Sequence, residues 1–245
     1  MIDLFAAEIL KLRTTRTMGW LLLAMVAITG LAVTGAVVLA SNANLDLESD
    51  HGIRTVLHVS ASGALFVLVL GAIISAGEYR HRTATDSFLT TPRRWRVVAA
   101  KLGTATGVGV VFGILAAGSA VALAAHLYSI KGYTFPLSSS EAWQILGGAA
   151  LYAALLGALG AATGSLVRNQ VAVIVGWLVW LLLAENIIVG LVPDIGRWLP
   201  GAAGRGLVMD PNGDFLAQPV AAVVLASYAI AIAILAIVVE RRRDA

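Results

Sequence analysis

Residues 142–167 read AWQILGGAALYAALLGALGAATGSLV and contain no charged side chain. A helix rises about 1.5 Å per residue, so a run of this length covers the roughly 30 Å hydrocarbon core of a bilayer. A long helix that is apolar on every side has no polar face to turn towards water. The stretch therefore predicts a transmembrane helix.

Similar apolar runs lie on both sides of this one, and together with it they contain a single charged residue, Glu185. In lipid the backbone has to satisfy its own hydrogen bonds, and runs this long and this rich in Ala, Leu, Val and Gly do so as helices. The sequence predicts an all-α membrane protein with six transmembrane helices. The other five runs are 18–40, 59–76, 102–125, 171–192 and 220–239.

The basic residues alternate between the two sides of these runs. If the N-terminus is cytoplasmic, the cytoplasmic segments hold most of the 17 Lys and Arg residues, and the opposite segments keep only Arg54, Lys131, Arg197 and Arg205. This asymmetry predicts that both termini are cytoplasmic. The scarcity of Lys and the abundance of Ala, Gly and Val suggest a bacterial genome, and we expect the chain in the bacterial inner membrane. Because topology accounts for the net charge of +3, no nucleic-acid partner is predicted.

The segment before the first run predicts an amphipathic interfacial helix over residues 1–17. Its apolar residues Ile2, Phe5, Ile9 and Leu12 are three or four positions apart and share one helical stripe. The alternative is a plain extension of the first span. With residues 1–17 as the interfacial helix, residues 18–245 are predicted to form the six-span transmembrane domain.

The polar segment 77–101, GEYRHRTATDSFLTTPRRWRVVAAK, carries the densest charge in the chain. Residues 83–89 can form a short helix that Pro92 ends. The basic side chains from Arg93 to Lys101 can reach lipid phosphates, but that anchoring explains neither the helix nor Glu78. The segment therefore predicts docking of a cytoplasmic partner.

The fifth run contains a costly intramembrane carboxylate, Glu185, followed by Asn186. Trp177 and Trp180 precede it, and these four residues are candidates for a transport pathway or gate. A structural hydrogen-bond anchor is the alternative for Glu185. The segment 193–219 that follows has four prolines among apolar residues and predicts an interfacial or re-entrant element.

Several kinds of chemistry have no sequence support. The chain has no cysteine, no GxxxxGK[ST] phosphate loop and no HExxH zinc motif. Paired intramembrane carboxylates are also missing from the apolar runs. We therefore expect no enzyme activity, no metal and no cofactor on this chain.

The whole chain resembles the permease subunits of type II ATP-binding cassette (ABC) exporters. The resemblance rests on AEILKLRTTRT at 7–17, on the segment 77–101 and on LLLAENIIVGLVPDIGRWLPGAA at 181–203. The segment 77–101 is the most specific of the three. The residues that match its pattern are Gly77, Glu78, Arg80, Thr83, Leu89, Pro92, Arg93, Arg94 and Lys101.

The resemblance implies the type II ABC exporter fold, in which two permeases, identical or related, form a pathway. Separate ATPase subunits bind ATP and Mg, and each holds a coupling helix, here 83–89, in a cleft. The resemblance also implies that 193–219 forms part of an outer lid. The cargo expected is hydrophobic or amphipathic. A departure is Asn186, where the family pattern leads us to expect Pro. The implied ATPase-coupling residues are Glu78, Arg80, Thr83, Thr85, Asp86, Leu89, Pro92, Arg93 and Arg94.

Two other functions remain open on the sequence alone. One is a secondary transporter or intramembrane enzyme centred on Glu185. The other is a membrane protein that confers immunity by sequestering a toxic peptide.

Overall fold

The computed structural model describes residues 2–43, 45–80, 94–135 and 139–242, and every regular element within those ranges is helical. Six of the helical segments are long and apolar enough to cross a membrane. They confirm the six predicted spans, and we call them the first to sixth spans. Their bounds are Arg16–Asn42, Asp50–Tyr79, Trp95–Ile130, Ser140–Val167, Gln170–Leu191 and Gln218–Arg242.

The second and third helices extend well beyond the apolar runs that predicted them. The second span begins at Asp50, passes through a tighter 3-10 stretch at His58–Gly63 and continues as Ala64–Arg80. The third helix is Arg94–Ile130. The predicted polar segment 77–101 is therefore helical at both of its ends. At its C-terminal end, neither Pro nor Gly interrupts the backbone between Arg94 and Lys101.

The fourth span forms the centre of the bundle. Its apolar stretch is 72% buried, against 17% for those of the fifth and sixth spans. Small residues allow its neighbours to approach. A Cβ placed on Gly160 would meet the carbonyl oxygen of Leu68 in the second span, and one on Gly113 of the third span would lie 2.6 Å from Cα of Ala150.

After the fifth span the chain folds back into the bundle. A short helix, Pro193–Gly196, is followed by Pro200–Leu207, which we call the inserted helix. Most residues of the inserted helix are buried. Its last carbonyl, on Leu207, accepts a 2.8 Å hydrogen bond from Nε2 of Gln218, whose side chain also donates to the carbonyl of Gln144 at 2.7 Å.

The N-terminal helix, Ile2–Thr14, packs on the bundle through a face that includes Glu8 and Leu12. Leu12 is 8% exposed and Glu8 is 6% exposed, whereas Ile9 of the predicted apolar stripe is 47% exposed. The interfacial position of this helix stays a prediction. The helix is rotated to bury Glu8 because that carboxylate has cationic partners inside the bundle.

The close approach of the second and fourth spans leads to a prediction about stability. Replacing Gly160 with Ala forces a methyl group against the backbone of the second span, and we expect a loss of about 1–3 kcal/mol. Gly147→Ala is the matched control in the same helix, because a Cβ there meets nothing within 4 Å. Thermal unfolding in one detergent compares the two variants, and equal stabilities would contradict this packing.

Candidate functional site

The structure describes only part of the predicted coupling segment. Glu78 is described with its side chain, while Arg80 ends one helix and Arg94 begins the next. The remaining predicted coupling residues lie outside the described residues. They are Thr83, Thr85, Asp86, Leu89, Pro92 and Arg93.

Lys101 carries its ammonium into the interior at the end of the bundle where the N-terminal helix lies. The residue is 4% exposed. Its Nζ lies 2.8 Å from Oε1 of Glu78 and 3.2 Å from each carboxylate oxygen of Glu8. It also donates to the carbonyl of Ile74 at 3.1 Å. The expectation that Lys101 reaches lipid phosphates was therefore wrong, because two carboxylates already neutralise it.

Lys11 bridges the same two carboxylates from the outside. Its Nζ is 2.7 Å from Oε1 of Glu78 and 2.8 Å from Oε1 of Glu8. Partial burial alone would lower the pKa of Lys11, but the hydrogen bonds and charges of the two glutamates outweigh it and raise that pKa. Glu8, Lys11, Glu78 and Lys101, which we call the ionic cluster, thus hold two positive and two negative charges.

The ionic cluster joins three elements that are distant in sequence. Glu78 lies just before the segment 81–93 and Lys101 just after it, while Glu8 and Lys11 belong to the N-terminal helix. Sequence reasoning selected Glu78 but missed the pairing with Glu8. The available signal was the placement of Glu8 and Lys11 three residues apart, on one side of the same helix.

A second ion pair closes the same end of the bundle. Nη2 of Arg168, between the fourth and fifth spans, lies 2.9 and 2.7 Å from the two carboxylate oxygens of Glu240 at the end of the sixth span. The guanidinium also lies 4.9 Å from the centre of the Tyr79 ring in the second span. Ends of the second, fourth and sixth spans are thereby held together.

At the opposite end of the bundle, Glu185 links the fifth span to the inserted helix. The residue is 3% exposed, and its Oε1 accepts a 2.6 Å hydrogen bond from the backbone N–H of Ala202. A carboxylate at a helix N-terminus is stabilised by the free N–H groups and by the helix dipole. This contact gives Glu185 the anchoring geometry that the sequence left as one of two alternatives.

Asn186 makes a second link between the same elements. The fifth span widens into a π turn at Trp180–Ala184, and Nδ2 of Asn186 donates to the carbonyls of Leu181 and Leu182 at 3.1 and 2.9 Å. Its Oδ1 accepts a hydrogen bond from Arg205 of the inserted helix. Wide turns of this kind often occur at functional sites.

A cavity of about 330 Å³ opens beside these two residues, and we call it the polar cavity. It lies among the second, fourth and fifth spans and the inserted helix. Hydrophobic side chains supply much of its wall. The polar and charged side chains in the lining include His58, Tyr152, Glu185, Asn186, Arg205 and Asp210.

The two predicted tryptophans line a different space. Trp177 and Trp180 line an apolar groove of about 410 Å³ among the fourth, fifth and sixth spans, next to Pro200. Nε1 of Trp177 donates to Oγ1 of Thr163 at 3.0 Å. Glu185 and Asn186 thus line the polar cavity and the tryptophans line the groove, while the Trp180 side chain also lies near the Glu185 carboxylate.

Comparison of the chain with protein-family models and with curated proteins gives no match. Within the described ranges, no group of three or more His, Asp or Glu residues is arranged to hold a metal ion.

The burial of the ionic cluster leads to a prediction that compares its two lysines. Lys101→Met leaves two carboxylates sharing Lys11 alone, and breaking a buried ion pair costs about 3–5 kcal/mol. Lys11→Met removes a side chain that is 50% exposed, against 6% for that of Lys101, so we expect a smaller loss, about 1 kcal/mol. Chemical unfolding of both variants in one detergent tests this order. Equal losses would show that the cluster is not buried.

Proposed function

We propose that this chain is the membrane permease subunit of a type II ABC exporter in a bacterial inner membrane. Both termini would lie in the cytoplasm, and separate ATPase subunits would bind ATP and Mg and drive the export of a hydrophobic or amphipathic solute. A second copy or a relative would complete the pathway. The observation that carries the proposal is the ionic cluster, which ties both ends of the segment 81–93 to the N-terminal helix.

The ionic cluster supports a coupling role because a movement of the segment 81–93 would be passed to the second span, the third span and the N-terminal helix together. A partner that pushes on the segment 81–93 acts on Glu78 and Lys101 at the same time. Separating these buried charges is costly, so the ends of the second and third spans would move together with the N-terminal helix.

Packing within the bundle supports transmission of that movement. The second span lies against the fourth with backbone contact at Gly160, and the third span contacts the fourth at Gly113. Closely packed helices shift as units because interiors deform little. For ATP-driven switching to move cargo, the cargo must bind the inward and outward states with different affinities.

Glu185 is the observation that favours the second candidate, a secondary transporter or an intramembrane enzyme. It is buried beside a cavity, as a transport or catalytic carboxylate would be. Its hydrogen bond to Ala202 gives it an anchoring role as well, and we therefore favour the exporter. Under the second candidate, Glu185→Gln would abolish activity and removal of an ATPase partner would have no effect.

Association with an ATPase tests the proposed function directly. We expect the tagged chain, purified from its own cells in mild detergent, to carry a stoichiometric subunit with a phosphate-binding loop and ATP hydrolysis activity. Asp86→Lys and Leu89→Pro should each reduce the recovered ATPase at least tenfold, because both change the proposed docking helix.

Asp214→Lys is the control for the change of charge, since Asp214 lies at the opposite end of the bundle and its side chain is 91% exposed. It should leave ATPase recovery unchanged. Retention of the ATPase in both docking variants would refute the coupling role of the segment.

A further inference from the structure

The polar cavity is large enough for a small organic molecule. Its volume of about 330 Å³ falls at the lower end of the range for small-molecule sites, which begins near 300 Å³. Leu65, Leu181, Val189 and Val208 supply apolar wall, and the Tyr152 side chain is also part of the lining. Such walls suit an apolar body that carries one polar group.

The charged groups in the lining are two acids, Glu185 and Asp210, and two bases, Arg205 and His58. Nδ1 of His58 lies 2.9 Å from the carbonyl oxygen of Arg54, so it carries the proton and donates to that oxygen. The two carboxylates thus outnumber the one guanidinium in the lining. That balance favours a cationic ligand over an anionic one.

Arg205 and Asp210 are already engaged with protein groups. Arg205 donates to Oδ1 of Asn186, and its guanidinium lies 5.5 Å from the centre of the Phe215 ring. One carboxylate oxygen of Asp210 accepts hydrogen bonds from the backbone N–H and the side-chain amide of Asn212, at 2.9 and 2.8 Å. Of the two carboxylates, only that of Glu185 has a buried oxygen without a hydrogen-bond partner among the described residues, which makes Glu185 the main candidate for binding a ligand.

One carboxylate oxygen of Glu185 lacks a hydrogen-bond partner among the described residues. Oε1 is bonded to Ala202, whereas Oε2 is buried and makes no hydrogen bond of good geometry with any described residue. The backbone N–H of Gly201 and the Trp180 side chain also lie near the carboxylate. A buried acceptor without a donor carries a free-energy cost that a ligand N–H group would remove.

We propose that the polar cavity binds a protonated organic amine with a small apolar body, its ammonium group donating to Oε2 of Glu185. A charge-assisted hydrogen bond in a buried site is stronger than one between neutral groups, so Glu185 sets the preference for a cation. The apolar wall holds the rest of the molecule. Only the further step of calling this amine the exported cargo rests on the proposed function.

Binding is measured on the purified full-length chain in zwitterionic lipid nanodiscs, with empty nanodiscs as the blank. The probes are a dansylated short-chain diamine, whose free amine is protonated at pH 7, and its N-acetylated neutral counterpart. We expect the amine to bind at least tenfold more tightly than the acetylated compound. Equal affinities, or no binding above the blank, would overturn the proposal.

Two variants locate the site. Glu185→Gln keeps an acceptor for Ala202 but removes the charge, and should weaken amine binding about tenfold while leaving the acetylated compound unchanged. Asp214→Asn is the matched control at an exposed carboxylate on the same end of the bundle, and should change neither affinity. Unchanged amine binding by folded Glu185→Gln would refute the role of Glu185.

Ala61→Leu keeps the test decisive if the Glu185 variant fails to fold. Ala61 lines the cavity, and the larger side chain should weaken binding of both probes by filling the space. Unchanged binding of both probes by folded Ala61→Leu would place the ligand elsewhere. Because no ATPase is present in these measurements, their outcome is independent of the co-purification that tests the proposed function.

Discussion

The burial of Lys101 is the constraint on which the N-terminal end of the structure depends. An ammonium with 4% of its residue exposed requires carboxylates at contact distance. Glu78 supplies one from the second span, and Glu8 supplies the other from the N-terminal helix. The requirement therefore fixes the rotation of the N-terminal helix, with Ile9 outward and Glu8 inward. It also brings together the two chain ends that flank the segment 81–93.

The two ends of the bundle use charge in different ways. At the N-terminal end the ionic cluster is neutral overall, and the Arg168–Glu240 pair adds a further ionic contact through Nη2 and both carboxylate oxygens. Such groups resist separation and suit the transmission of movement. At the opposite end Glu185 is satisfied at only one of its two oxygens, and it faces a cavity. That arrangement holds the inserted helix in place and still leaves a carboxylate oxygen for a ligand.

The six spans could be predicted from the sequence because hydropathy reflects burial in lipid and needs no knowledge of tertiary contacts. The rotation of the N-terminal helix could not, since it depends on an ion pair between Glu8 and Lys101, which are 93 positions apart. Helical periodicity identifies the apolar stripe, but it gives no information about a carboxylate whose partners are distant in the sequence. That Trp177 and Trp180 line a different space from Glu185 likewise depends on the depth to which the inserted helix returns, and proline content alone predicts only that the chain bends back.

Side-selective thiol labelling is the most direct test of the central claim, that the segment between Glu78 and Lys101 lies on the cytoplasmic side with the N-terminal helix. The chain has no cysteine of its own, so single cysteines introduced in place of Thr85 and Asp214 are the only thiols of the chain that can be labelled. In intact cells, a membrane-impermeant maleimide should label the cysteine at position 214 and leave the one at position 85 unlabelled until the cells are permeabilised. Labelling of position 85 in intact cells, with position 214 protected, would contradict the account.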